Sequence, residues 1–182
     1  MKEILLVTGN AHKLREWQNF MPNDIALSSI DIDLEEIQSD DPLAIVSDKA
    51  QRAFAEVGKP VVVEDVSAGL VKFDGLPGPF IKFFMKRLGQ DALYQLAGRE
   101  DGAEALVSCS AAYFDGENLI PVRADVEGTV VAPRGDSTFG FDVTFVPKGH
   151  AQTYAEMDPA YKNSISHRAL AAKMLFEKLK NL

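Results

Sequence analysis

A single cysteine, Cys109, stands among 182 residues, so no internal disulfide can form. Set in the apolar run 105–114, its thiol reads as a small core side chain more readily than as a nucleophile. Three histidines far apart in the chain, with that one cysteine, give no zinc-ligand spacing. Long apolar runs are also missing. Nothing approaches the roughly 18 residues of a membrane-spanning helix, and the apolar run in MKEILLVTGN is too short for a secretory signal. Basic residues are the scarcer charge, 19 against 27 acidic, for a net charge of −8. Such a balance argues against broad binding to nucleic acid or to an anionic membrane, yet permits a small phosphorylated ligand met by a few Lys and Arg. Repeats, low-complexity tracts and a Walker P-loop pattern are absent as well. These absences describe a cytoplasmic globular chain, one domain or two lobes sharing a core.

What is present begins with a short apolar run, Ile4 to Val7, that reads as a central strand. Thr8-Gly9-Asn10 makes a glycine turn, and Asn10 suits the N-cap of a helix carrying Leu14, Trp17 and Met21 on one face. The start of that helix offers unpaired N–H groups and a positive dipole end, which suit phosphate. His12 and Lys13 sit there against the dipole, either because they serve a ligand or because both are simply solvated. Ile30, Ile32 and Leu34 alternate with acids and predict a second strand ending in Glu35-Glu36. Asp41 and Pro42 then cap and open a helix with a buried stripe of Leu43, Val46, Ala50, Ala53 and Val57, closed by Gly58. Capping accounts for the acids at 40 and 41; Glu36 is left as a candidate metal ligand. Lys49, beside the stripe, is a snorkelling surface residue or a phosphate contact.

The stretch 61–84 organises the middle of the chain. Val61-Val62-Val63 suits a strand buried on both faces, and the run ends in Glu64-Asp65. Side chains alternate along a strand, so only one of these acids can face a given cleft. A shaped loop with Ser67, Gly69, Gly75, Gly78, Pro77 and Pro79 is expected next. An acid at the mouth of a buried strand before such a loop suits metal or phosphate chemistry, or is a solvated acidic turn. Helices over 81–88 and 90–96 follow, and the polar connection 99–103 is the place to divide the chain into lobes. Segments 105–114 and 118–131 predict a hairpin around Asp115-Gly116. Phe139-Gly140-Phe141-Asp142 sets two aromatics and an acid around a glycine, which is either core or a nucleobase platform with a hydrogen-bonding carboxylate. Lys162, His167 and Arg168, in KNSISHR, suggest an anion or base site, or a basic surface loop, leading into a helix with Leu170, Met174, Leu175 and Leu179 inward.

Taken together, TGNAHK with Glu16, VVVED with GLPGPF, FGFD, TYAEM over 153–157 and KNSISHR resemble the inosine triphosphate pyrophosphatase (Ham1-like) family over nearly the whole chain. The resemblance implies hydrolysis of ITP, dITP and XTP to the nucleoside monophosphate and pyrophosphate. It implies an elongated α/β fold of two lobes with a long mixed β-sheet flanked by helices, the active site in the cleft between lobes and the last helix returning to the first lobe. It also implies Mg²⁺ and a homodimer. By the same resemblance Thr8, Gly9, Asn10 and Lys13 cradle the triphosphate and Lys49 is a second phosphate lysine. Glu36 and Asp65 serve the metal, and Asp65 is the base that activates water. Phe139 stacks on the purine beside Gly140 and Phe141, and Asp142 holds the base. Lys162 completes these contacts, while His167 and Arg168 read the 6-keto edge. The chain departs from the family pattern at Val66-Ser67-Ala68, at Phe141, where tryptophan is usual, and at Val143, where proline is usual. Two competing readings are a Maf-like pyrophosphatase of other modified nucleotides and a catalytically inactive nucleotide sensor.

Overall fold

The computed structural model describes residues 2–137 and 140–180. Its strands are β1 (Lys2–Val7), β2 (Ile25–Ile30), β3 (Val61–Leu70), β4 (Pro77–Gly78), β5 (Ala103–Phe114), β6 (Leu119–Val130) and β7 (Phe145–Pro147). The helices are α1 (Ala11–Gln18), α2 (Pro42–Val57), α3 (Ile81–Leu88), α4 (Ala92–Leu96), α5 (Pro159–Ile165) and α6 (His167–Leu179). Together they make an α/β structure with a seven-stranded sheet in the order β2-β1-β3-β5-β6-β7, with β4 paired to β3. The sheet is mixed: β1 runs parallel to β2 and β3, whereas β3–β4 and β6–β7 are antiparallel.

Two compact units make up the chain. The first takes in the described residues up to Asp65, Cys109–Ala124 and those from His167 onward; the second takes in Val66–Ser108 and Asp125–Ser166.

Strand alternation organises the first unit. Ile4 and Leu6 of β1 and Val62 of β3 join one core with Trp17 of α1 and Leu175 and Phe176 of α6. Val7, Val61 and Val63 join the other, with Val46, Ala50 and Ala53 of α2. The period of two therefore sends alternate side chains to α1 and α6 on one face and to α2 on the other. Because β1 lies between β2 and β3, the chain leaves it to one side and then returns to the other. In parallel α/β sheets such a switch point, at the carboxyl ends of the strands, is where ligands bind.

In the second unit Ala68, Leu70, Ile81, Leu93, Val107, Phe145 and Tyr154 share a core. Gly69 is required there: a Cβ would lie 1.7 Å from the Gly75 carbonyl oxygen. The backbone closes the turn with Leu70 N–H on Leu76 O at 3.0 Å and Gly75 N–H on Leu70 O at 3.0 Å. Leu76-Pro77 is a cis peptide.

Several local expectations need correction. The strand through the valines does not stop at Glu64-Asp65; it continues to Leu70, with Ser67 and Ala68 buried. Ser and Gly there suggested a loop, but small residues are what the close approach of β4 and its turn demands. The second strand is Ile25–Ile30; Ile32 and Leu34 lie beyond it and pack against the α2 core from an irregular segment. Met21 falls outside α1, which ends before Pro22, a residue whose ring disfavours helix in the residue ahead of it. Met174, expected inward, is 43% exposed, and Phe176 is buried in its stead. KNSIS is mostly helix α5, capped by Asp158, which accepts from the Ala160 and Tyr161 amides and precedes Pro159 at the first position.

Candidate active site

The turn after β1 is built by its own side chains. Thr8 N–H donates to Ile30 O at 2.8 Å, and Thr8 Oγ1 accepts the Asn10 amide at 3.1 Å. Asn10 caps α1, its Oδ1 accepting the amides of His12 at 2.9 Å and Lys13 at 3.4 Å. That cap occupies two amides at the helix start, so an incoming anion is met chiefly by the side chains around the turn. At Gly9 a Cβ would stand 2.5 Å from the Asp31 carboxylate, which would have to swing aside.

β3 pairs with β1 through Leu5↔Val61 and Leu6↔Val62, and then runs on to Glu64 and Asp65. Alternation separates the two acids. Glu64 shares the Val62 face, toward α1 and α6; Asp65 shares the Val61 and Val63 face, toward α2.

On its face Glu64 is 4% exposed and gathers four nitrogen donors from three residues on two helices. Arg168 Nε and Nη2 each lie at 2.9 Å, one on either carboxylate oxygen, in a bidentate pair. Lys13 Nζ is 3.0 Å from Oε1, and Trp17 Nε1 donates to Oε2 at 2.6 Å. Arg168 Nη1 donates in addition to Glu16. Burial by itself pushes the Glu64 carboxyl upward, but the charges of Arg168 and Lys13 and the hydrogen bonds from Arg168 and Trp17 hold it well below the usual carboxylate range. Arg168, almost wholly buried, is pulled down by desolvation and raised on balance by Glu64 and Glu16, so it keeps its charge. His167, at the first position of α6, is 1% exposed.

Toward α2, Glu36 Oε1 accepts Lys49 Nζ at 2.5 Å, with both side chains partly buried. Asp65 is partly buried. Among the described residues no group of three or more His, Cys, Asp or Glu side chains is gathered as a cation cage. Glu36 and Asp65 are oxygen donors, the ligand type a hard divalent cation such as Mg²⁺ takes, and Glu36 Oε1 is paired with Lys49 in this structure.

Of the residues expected to serve the base, Gly140, Phe141, Asp142 and Lys162 lie in the second unit, and His167 and Arg168 in the first. Asp142 is 1% exposed; its Oδ2 accepts Lys162 Nζ at 2.5 Å and Ser137 Oγ at 3.3 Å. Lys162 Nζ also lies 5.6 Å from the centre of the Tyr154 ring. Gly140 adopts φ +49°, and a Cβ there would approach the Met85 sulfur at 3.7 Å. Phe141 is buried, meeting Phe145 edge-on at 6.4 Å between centroids. Its ring is core in this structure. Phe139 lies outside the described residues.

The structure thus joins the expected residues in groups: Thr8, Gly9 and Asn10 in one turn, Lys13 with Arg168, Glu36 with Lys49, and Asp142 with Lys162. The link between Lys13 and Arg168 is Glu64, to which sequence reasoning gave no role, and Trp17, read only as a core residue. A buried acid directly after three valines was the available signal, since such a group persists only with partners.

Similarity to known proteins agrees with this fold. A family model described as the Ham1 family matches residues 4–178. An inosine triphosphate pyrophosphatase of Yarrowia lipolytica is 42% identical over 176 residues, covering 94% of this chain and 93% of that protein. A HAM1 protein of Coxiella burnetii superposes with a TM-score of 0.85 at 27% identity, over the full length of both chains. A nucleoside-triphosphatase / dITP/XTP pyrophosphatase of Mycobacterium abscessus gives 0.72 at 25% identity, over 95% of this chain and 98% of that one. The chain belongs to the Ham1 family.

Proposed function

We propose that the protein hydrolyses non-canonical purine nucleoside triphosphates, ITP, dITP and XTP, to the nucleoside monophosphate and pyrophosphate. One observation carries this reading: 42% identity across 94% of the chain to a protein named inosine triphosphate pyrophosphatase. Thr8, Gly9, Asn10 and Lys13 hold the phosphates, with Lys49 as a second cation. Cleavage of a phosphoanhydride asks for charge neutralisation, in-line geometry and an activated water, which these groups suit. Glu36 and Asp65 would hold Mg²⁺, which supplies further neutralisation of phosphate oxygens when bound. Asp65 accepts the proton of the attacking water.

Phe139, Gly140, Asp142 and Lys162 serve the base, with Phe141 behind them in the core and His167 and Arg168 directed to its 6-keto edge. A 6-amino group would leave buried donors unpaired, at about 1–3 kcal/mol each. Sites built on such bonds discriminate strongly. A homodimer is part of the same reading. It is supported by the large apolar side chains exposed between Val71 and Leu88, namely Val71, Phe73, Leu76, Phe83, Phe84 and Leu88. Among the described residues no helix is long and apolar enough to cross a membrane. A cytoplasmic location belongs to the same proposal.

Rates with Mg²⁺ and ITP, XTP, dITP, ATP and GTP test the substrate class. Turnover of the first three with little of the last two is expected. Equal rates on all five would refute selection at the 6-position, and ITP binding without turnover would make the protein a sensor.

A further inference from the structure

We propose that Glu64 is a positioning residue that couples the hold on the phosphates to the choice of base, acting through Lys13 and Arg168. This role presupposes the reading above, in which Lys13 serves phosphate and Arg168 serves the purine edge. Both oxygens of one buried carboxylate are divided between these two cations. Oε1 receives Lys13 Nζ at 3.0 Å and Arg168 Nη2 at 2.9 Å; Oε2 receives Arg168 Nε at 2.9 Å and Trp17 Nε1 at 2.6 Å.

The two cations are held very differently. Arg168, with a side chain only 3% exposed, is fixed in plane by the bidentate pair and braced from a second direction by Glu16. Lys13 is 27% exposed and reaches Glu64 from the open end of a flexible stem. A phosphate brought to the first turn of α1 therefore competes with Glu64 for Lys13 and leaves Arg168 in place. As Lys13 turns away, the carboxylate loses one of its partners and leans more on the others. A buried carboxylate tolerates this only while other donors keep it paired, and Trp17 with the Arg168 fork supplies them. Anything that changes the Lys13–Glu64 contact thereby changes how firmly Arg168 is held. Linkage makes the effect reciprocal: whatever the base does to Arg168 returns to the phosphate grip.

Glu64 and Asp65 take different surroundings. Glu64 faces α1 and α6 while Asp65, its neighbour, faces α2, and both oxygens of Glu64 are engaged by nitrogen donors. Trp17, the only tryptophan in the sequence, lies directly on this carboxylate. Its emission therefore reports on the junction.

The test compares kcat and KM for ITP and for ATP in the wild type, Glu64→Gln, Glu64→Asp and Trp17→Phe, all checked for folding by circular dichroism. In Glu64→Gln we expect KM for ITP to rise about tenfold or more, with kcat much less affected, and the ITP-over-ATP preference to fall about tenfold. Glu64→Asp, which keeps the charge, should recover most of that preference. Trp17→Phe keeps the charges and removes one hydrogen bond to Glu64, so KM should rise about fivefold at unchanged kcat. A purely structural Glu64 would lower melting temperature and depress both substrates alike, leaving the ratio intact.

A folded Glu64→Gln with the wild-type KM and ITP:ATP ratio overturns the proposal. If that variant does not fold, Trp17→Phe decides, and an unchanged KM there overturns it equally. Pyrophosphate titrated into the wild type should alter Trp17 emission, and an emission that never responds counts against the coupling. A wild type without any ITP turnover is a separate failure, of the proposed function itself.

Discussion

Adjacent acids at the end of three valines, Glu64 and Asp65, are sent to opposite faces of one strand, and the candidate chemistry follows from that division. Glu64 is buried against α1 and α6 and matched by Lys13, Arg168 and Trp17. Asp65 turns to the face of Val61 and Val63, which packs against α2. The first is an organiser of cations and the second is the candidate base. Changing Asp65 to Asn keeps size and removes basicity, so turnover of ITP should fall about 10²–10⁴-fold while ITP still binds. Rapid-quench kinetics beside equilibrium binding separates these two quantities. Full activity in Asp65→Asn would place the base elsewhere.

At the scale of elements, the β5–β6 turn shows how local chemistry fixes geometry. Asp115 Oδ1 accepts the amides of Asn118 at 2.8 Å and Glu117 at 3.1 Å, and Oδ2 accepts Tyr113 Oη at 3.1 Å. Burial raises its carboxyl, but these hydrogen bonds outweigh it and bring the pKa down to about 2. A carboxyl whose folded pKa lies below its unfolded one stabilises the fold above the unfolded value. That contribution is lost as pH falls through the folded value. Wild type should therefore exceed Asp115→Asn by about 1 kcal/mol near neutral pH, a figure reduced for the group's partial exposure. The gap should close between about pH 4 and pH 2, as urea unfolding at a series of pH values would show.

This hairpin was legible in the sequence because Asp-Gly chemistry is local, and so were the Asn10 and Asp41 caps and the period-two valines. Where neighbours decide, the sequence misled. Ser67 and Gly69 read as loop until the close approach of Gly75 explained them. Ile32 and Leu34 alternate like a strand but have only core packing, no ladder. In the candidate site, Glu36 with Lys49 and Asp142 with Lys162 pair residues that the sequence had singled out separately. The junction through Glu64 was not legible, because it joins positions 13, 17, 64 and 168, which only the fold brings together.

For the whole molecule, an acidic chain of net charge −8 carries a stretch with an opposite character. Between Val71 and Leu88 large apolar side chains are exposed, Phe83 at 52% and Leu76 at 53%. Lys72, Lys82, Lys86 and Arg87 are interspersed with a lone acid, Asp74. On the dimer reading this stretch is covered by a second copy. A charge placed at Phe83 should then weaken association about tenfold or more without unfolding the subunit, because the side chain is already solvated within it. Sedimentation velocity of wild type and Phe83→Glu over a range of concentrations measures this. A wild type that sediments as a monomer throughout would contradict the dimer.

The central claim is cleavage that releases pyrophosphate from a 6-keto purine triphosphate. Phosphorus NMR of ITP incubated with the purified protein and Mg²⁺ reads the products directly. The account predicts inosine monophosphate and pyrophosphate in equal amounts, with ATP left largely intact. Inosine diphosphate with inorganic phosphate would contradict it, because the bond between the β and γ phosphates would then be the one broken.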